Sequence, residues 1–441
     1  MSSTKSNKMS VTQLTLLTAL NMMGSGIIML PTKLAEVGTL SILSWLVTAT
    51  GSTALAYAFA KCGMLSRKAG GMGGYAEYTF GKSGAFLANY TYAVSLVIAN
   101  VAIAITVVGY LSAFFEISLS PVMTCLATIA TLWICTVLNF KGPKITGYIS
   151  NFSAWGAILP VTALSVFGWF WFSPDMYVAS WNPNNIPFFD AVSASISMTL
   201  WAFLGLESAC ANSEAVDNPE KNVPKAVLGA TLGVATIYIL STNIAAGIVG
   251  NAELVQSTAP FGLVFATMFN GTVGKVVIGM MVVSCAGSLL SWQFTIAQVF
   301  KSLSDAKFFP SAFSKLTKDD APVVGMTLIT LTQSALSFLT ISPSLYKQFN
   351  VLVDLAVVTN VMPYLLSMAA VPVLLRSEKV GGGMATIVKF CAFIGTVYSL
   401  YALYAAGFEA MMYGSLATFA GWAFFGVAAE RLHDKEAAVA A

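Results

Sequence analysis

Twelve apolar stretches, each near the length of a bilayer crossing, divide this chain, with only short polar segments between them. They lie at 11–31, 39–61, 85–113, 121–140, 147–172, 189–211, 226–250, 273–302, 322–341, 351–374, 384–405 and 411–428. Crossing the hydrocarbon core takes about 20 mostly apolar residues in a helix. A helix also satisfies its own backbone hydrogen bonds where no water is present. Charge is correspondingly scarce. Asp, Glu, Lys and Arg make up 9% of the 441 residues, against 57% hydrophobic, whereas a soluble domain carries about 25% charged residues. The predicted class is an all-α integral membrane protein with twelve transmembrane helices.

An even number of spans puts both termini on one side, and the basic residues say which. With the N-terminus inside, only Lys33, Lys275 and Lys347 fall outside, and every other Lys and Arg falls inside. Cytoplasmic loops carry such an excess of Lys and Arg. The first ten residues show no cleavage site following an apolar core, so the first span is expected to be retained, with both termini cytoplasmic. A net charge of +3 is too small to suggest nucleic acid. The six cysteines form no C-x-x-C pair and read as buried thiols, with no disulfide framework or metal site expected.

The first span carries a contradiction in NMMGSGIIMLP, residues 21–31. Gly24-Ser25-Gly26 at its middle concentrates poor helix formers at one point. A second such point is WAFLGLES, where Gly205 and Glu207 interrupt the sixth span. Spans one and six are corresponding positions of two five-helix halves. Irregular backbone at membrane depth persists only where it is buried in protein or lines a cavity, and interrupted helices in matching positions point to a transporter's binding site. Freed N–H groups suit a carboxylate and freed carbonyls suit an ammonium. The candidate site therefore includes Asn21, Gly24, Ser25, Gly26 and Ile27 at one break, and Trp201, Phe203, Leu204, Gly205 and Glu207 at the other.

A charge at mid-membrane costs about 2.5–3.5 kcal/mol on insertion scales, so Glu207 needs a reason to be there. It is read as the partner of a cationic substrate or a proton, the alternative being an internally paired structural carboxyl. Trp292 lies mid-span, with Ser288 and Cys285 four and seven residues before it on the same helical face. An indole face attracts a desolvated ammonium by about 2 kcal/mol or more, with plain packing as the alternative. Tyr92 and Asn100 join the list as polar groups that either line the site or glue helices together. Asp354 is expected to reach the outer interface. No H-E-x-x-H, G-x-S-x-G or P-loop occurs, and the one histidine, His433, is in the C-terminal tail. Neither an enzyme nor a bound cofactor is expected.

GSGIIMLP, the GGxGGYxEYxFG pattern at 70–81 and WAFLGLESA together resemble the amino acid–polyamine–organocation transporters. ITGYIS, GLESACAN, SWQFTIAQVFKS and QFNVLV narrow the resemblance to antiporters in its basic amino acid/polyamine group. It implies a LeuT-type fold, with spans 1–5 and 6–10 as inverted five-helix repeats plus two peripheral helices. The corresponding division is a tail at 1–10, a core at 11–374, peripheral helices at 384–428 and a tail at 429–441. The implied activity is exchange of putrescine for ornithine by alternating access, or alternatively of cadaverine for lysine. Proton-coupled or potential-driven uptake of the diamine also stays open. In the resemblance, Gly24, Ser25 and Gly26 match the carboxylate-binding break, Trp201 and Trp292 match gate aromatics, and Glu207 matches the residue of proton or amine coupling. The chain departs from the family at Lys301–Pro310, where many members have an Arg-rich segment. Partners implied are a small diamine, a basic amino acid and membrane lipid; a homodimer is an open assembly. An amine sensor without transport, or a channel, is the competing class; a sensor would need an output domain, and none is evident.

Overall fold

The computed structural model describes residues 10–24, 26–68, 70–207, 219–341 and 344–440. Among the described residues no strand occurs, and nine helices are long and apolar enough to cross a membrane. In chain order the helices are α1 (Val11–Met22), α2 (Leu30–Val37), α3 (Ile42–Leu65), α4 (Met72–Phe115), α5 (Pro121–Asn139) and α6 (Pro143–Phe167). Short helices α7 (Pro174–Ala179), α8 (Phe188–Ala194) and α9 (Ile196–Trp201) follow, and then α10 (Pro219–Ile248), α11 (Asn251–Leu254), α12 (Pro260–Met268) and α13 (Gly271–Asp305). The chain closes with α14 (Val323–Leu339), α15 (Leu345–Ser377), α16 (Gly382–Ala405) and α17 (Gly407–Ala440).

Three of the twelve expected spans are absent from the nine, for two reasons. The first is split between α1 and α2, with turns at 26–29 between them. The sixth breaks into α8 and α9 and gives way to turns from Ala202 to Glu207. The ninth, α14, is continuous but has 17 residues. At 1.5 Å per residue it covers roughly 26 Å, short of the full hydrocarbon thickness.

Local chemistry fixes the ends of several helices. Ser10 opens α1 with a capping box: its Oγ accepts from Gln13 N at 3.3 Å, and Gln13 Oε1 accepts from Ser10 N at 2.9 Å. Ser120 and Pro121 start α5, Asn270 caps α13 and Ser344 caps α15. In α4, Gly81 at φ +62° separates a short leading segment from the long span.

The exterior is apolar, the reverse of a soluble protein. Phe152, Phe390, Phe393, Phe419 and Leu416 are all exposed, on α6, α16 and α17. So much contiguous apolar surface suits lipid contact. The interior is held by close approaches and polar stitches. A Cβ added to Gly287 of α13 would strike Ser153 of α6, and one on Gly156 of α6 would strike Met280 O, so these two helices pack backbone to backbone. Ser95 Oγ of α4 donates to Ala356 O of α15 at 2.8 Å.

Candidate functional site

The two interrupted segments touch. A Cβ on Gly26 would lie 3.0 Å from Ala202 Cα, in the second break. Gly205 adopts φ +106°, where side chains are strained, and a Cβ there would lie 3.1 Å from Asn21 O and 3.3 Å from Trp292 Cζ2. A Cβ on Gly24 would come 2.5 Å from Ser288 Oγ. Three missing side chains thus let the end of α1, the turns after α9 and the middle of α13 meet at one place.

The break in the first span leaves carbonyls that need donors. Tyr238 Oη of α10 donates to Met22 O at 2.8 Å, and Tyr110 Oη of α4 donates to Ile28 O at 3.0 Å. Both tyrosines are fully buried. Tyr238 is wedged beside Phe203 and Trp45, with ring centroids 5.8 and 5.7 Å away. Trp45 Nε1 in turn donates to Thr242 Oγ1 at 3.0 Å. The structure therefore puts Phe203 and Ile27, both fully buried, in the packing that supports the break. Of the site residues proposed from sequence, Ser25 lies outside the described residues.

Glu207 follows the second break and is 8% exposed. Its Oε1 accepts from Tyr92 Oη of α4 at 3.0 Å. Its Oε2 accepts from Tyr364 Oη of α15 at 2.7 Å and from Gly205 N at 3.1 Å. These three donors are neutral, so they orient the carboxylate without cancelling its charge. The carboxylate thus keeps the full charge that would attract an ammonium. Sequence reasoning missed Tyr364, whose only signal is a phenol inside an apolar helix.

A cavity of about 120 Å³ opens beside this seam, lined by Asn21, Gly24, Tyr92, Ser288 and Trp292 among the expected residues. Ser150, Asn151, Ser284 and Ser291 also line it and were not anticipated. The polar run Ser150-Asn151 in an apolar span was the available signal. Trp201 packs edge-on against Phe349, at 6.5 Å and 88°, and Leu204 is half-buried nearby.

Asn100 is drawn elsewhere. Its Nδ2 donates to Gln293 Oε1 at 2.7 Å, within a buried group that includes Gln333, Thr136 and Thr330. It acts as interhelical glue and does not line the cavity. Asp354 does not simply reach outward: its Oδ1 accepts from Ser197 Oγ of α9 at 2.6 Å. Lys301 pairs with Asp305 at 2.6 Å, one turn apart, so helix continues into the segment where the chain departs from the resemblance.

Among curated proteins, "Putrescine transporter PotE" of Haemophilus influenzae (strain ATCC 51907 / DSM 11121 / KW20 / Rd) is 68% identical, over 96% of this chain and 98% of its own length. The protein of the same name from Escherichia coli (strain K12) is 65% identical, over 99% of both chains. The "Cadaverine/lysine antiporter" of Escherichia coli (strain K12) is 30% identical, over 88% of this chain and 87% of its own length. Among the described residues the cavity is lined from the first interrupted segment and not from the second, and since the sequence model of the amino acid permease family matches residues 9–427, the chain belongs to that family.

Proposed function

We propose that this protein is a putrescine–ornithine exchanger of the bacterial inner membrane, working by alternating access. The observation that carries the reading is Glu207, a carboxylate held by three neutral donors where two broken segments meet. Substrate choice follows the 65–68% identity to relatives named for putrescine, against 30% for the one named for cadaverine and lysine. Glu207 binds one ammonium of either substrate, and the faces of Trp201 and Trp292 bind the alkyl chain and its charge. The ornithine carboxylate takes the freed N–H groups around Gly24, Ser25 and Gly26. In this reading all twelve stretches cross the membrane, the three outside the nine being the two interrupted segments and α14. Spans 1–5 and 6–10 form inverted repeats, with both termini cytoplasmic.

The test is labelled putrescine flux in proteoliposomes, with ornithine, lysine or nothing on the far side. Ornithine is expected to accelerate flux most. Equal acceleration by lysine would favour the cadaverine–lysine reading, and rapid flux into buffer alone would indicate a channel.

A further inference from the structure

Asn360 of α15 is fully buried, and neither its Oδ1 nor its Nδ2 has a hydrogen-bond partner among the described residues. Other buried hydroxyls without partners, such as Ser367 and Ser399, can rotate toward a carbonyl of their own helix. A primary amide with both ends open cannot repair itself so simply, and its desolvation goes uncompensated. An orphaned buried amide of this kind points to a partner that comes and goes.

Its place in the helix says which partner. Phe349, Asn360 and Tyr364 are eleven and four residues apart, which puts them on one stripe of α15. Phe349 meets Trp201 at one end of that stripe. Tyr364 donates to Glu207 at the other. Asn360 therefore stands along the run from Trp201 to Glu207, one turn from Tyr364, or about 6 Å along the axis. Trp201 Nε1 is a second buried polar atom without a described partner on the facing element. The separation of two nitrogens on an extended four-carbon chain is of the same order as that one turn.

We propose that Asn360 is a substrate-contact residue, its Oδ1 accepting a hydrogen bond from the diamine's second ammonium, the one that Glu207 does not hold. This rests on the reading of Glu207 as partner of the first. A carboxylate at both ends would favour diamines strongly over amino acids. An amide at the second position binds the ammonium without adding a second negative charge, which suits a site that must also take ornithine, whose second ammonium has a carboxylate beside it.

The experiment compares putrescine with 1-aminobutane, which lacks the second ammonium, by calorimetry on the purified full chain. Wild type is expected to prefer putrescine. Asn360→Leu should weaken putrescine about tenfold, the scale of one hydrogen bond to a charged group, and leave 1-aminobutane nearly unchanged. Its thermal midpoint should hold or rise, since an apolar side chain of similar size replaces an orphaned amide. Asn360→Asp keeps the oxygen and should retain the preference, while Asn360→Ala should lose it; that pair carries the test if the Leu variant does not fold. A wild-type putrescine-to-aminobutane ratio in Asn360→Leu or Asn360→Ala would overturn the assignment and leave Glu207's role standing. No preference for putrescine in wild type would likewise overturn the assignment alone, whereas wild-type affinity for both amines in Glu207→Gln would overturn the reading of Glu207.

Discussion

In the proposed reading Glu207 has to be two things at once: fixed enough to aim at a cation and open enough to receive it. Tyr92, Tyr364 and the Gly205 N–H supply the aim. In Glu207→Gln the amide NH₂ faces a phenol that formerly donated, and that hydroxyl can turn to accept, so folding should survive. The charge does not survive. Putrescine binding is expected to fall by roughly tenfold or more, and ornithine by less because its carboxylate has the other break. The pH dependence of putrescine binding should flatten, since the titrating partner is gone. Calorimetric affinities for both substrates across acid to mildly alkaline pH decide it; parallel profiles for wild type and variant would move the coupling role elsewhere. Gly24 makes a sharper steric claim. Gly24→Ala sets a methyl 2.5 Å from Ser288 Oγ and 3.1 Å from Ser288 Cβ, so the hydroxyl must turn away, α13 must give by a few tenths of an ångström, and exchange should drop. Adding Ser288→Gly removes the obstruction, and the double variant should exchange faster than Gly24→Ala alone, a coupling expected of touching residues. Additive losses would mean that the contact does not limit the site.

An interrupted helix is stable only if other elements close its open ends. Tyr238 and Tyr110 do so for the first break, from positions 216 and 82 residues away from the carbonyls they meet. Tyr238→Phe and Tyr110→Phe should each lower unfolding stability by about 1–3 kcal/mol, the cost of stranding a buried acceptor. Because they serve different carbonyls, the losses should nearly add. Thermal unfolding in detergent measures both; a destabilisation below about 0.5 kcal/mol in either would show that water already serves that carbonyl. Those two tyrosines also mark where sequence reading stopped. Gly24 to Gly26 and the Gly205–Glu207 pair announced their breaks, because glycine and carboxylate are costly in a lipid-spanning helix whatever surrounds them. Which distant phenol would answer a freed carbonyl is a property of packing and leaves no local trace. Asn100 is the converse case. A buried amide that lines a cavity and one that joins helices look alike in sequence, and only Gln293, 193 residues on, distinguishes them.

The assembled molecule turns its charges to its ends and its apolar side chains outward. Glu116 and Lys275 pair at 2.9 Å at one end, where α4 finishes and α13 begins, and Lys275 holds the Glu116 carboxyl below its usual range. Arg67 meets Glu378 at 3.1 Å, joining the segment after α3 to the end of α15. Both pairs include highly exposed groups and contribute little to stability. Their use here is to mark sides, and in the proposed orientation the bias of Lys and Arg puts the Arg67 side in the cytoplasm. Between Ser118 and Lys318, both exposed, lie α5, α6, the broken α8–α9 segment, α10 and α13. If the broken segment crosses the membrane, five crossings put Ser118 and Lys318 on opposite sides; if it does not, they share a side. In a background with the six native cysteines replaced, Ser118→Cys should react with a membrane-impermeant maleimide in cells whose outer membrane alone is opened. Lys318→Cys should react only after the inner membrane is breached. Reaction of both under the first condition would mean that the Glu207 segment enters and leaves by one face, and the proposed twelve-span architecture would fall. The opposite pattern, Lys318→Cys labelled and Ser118→Cys protected, would keep the five crossings and invert the molecule, and the charge argument would be the part that failed.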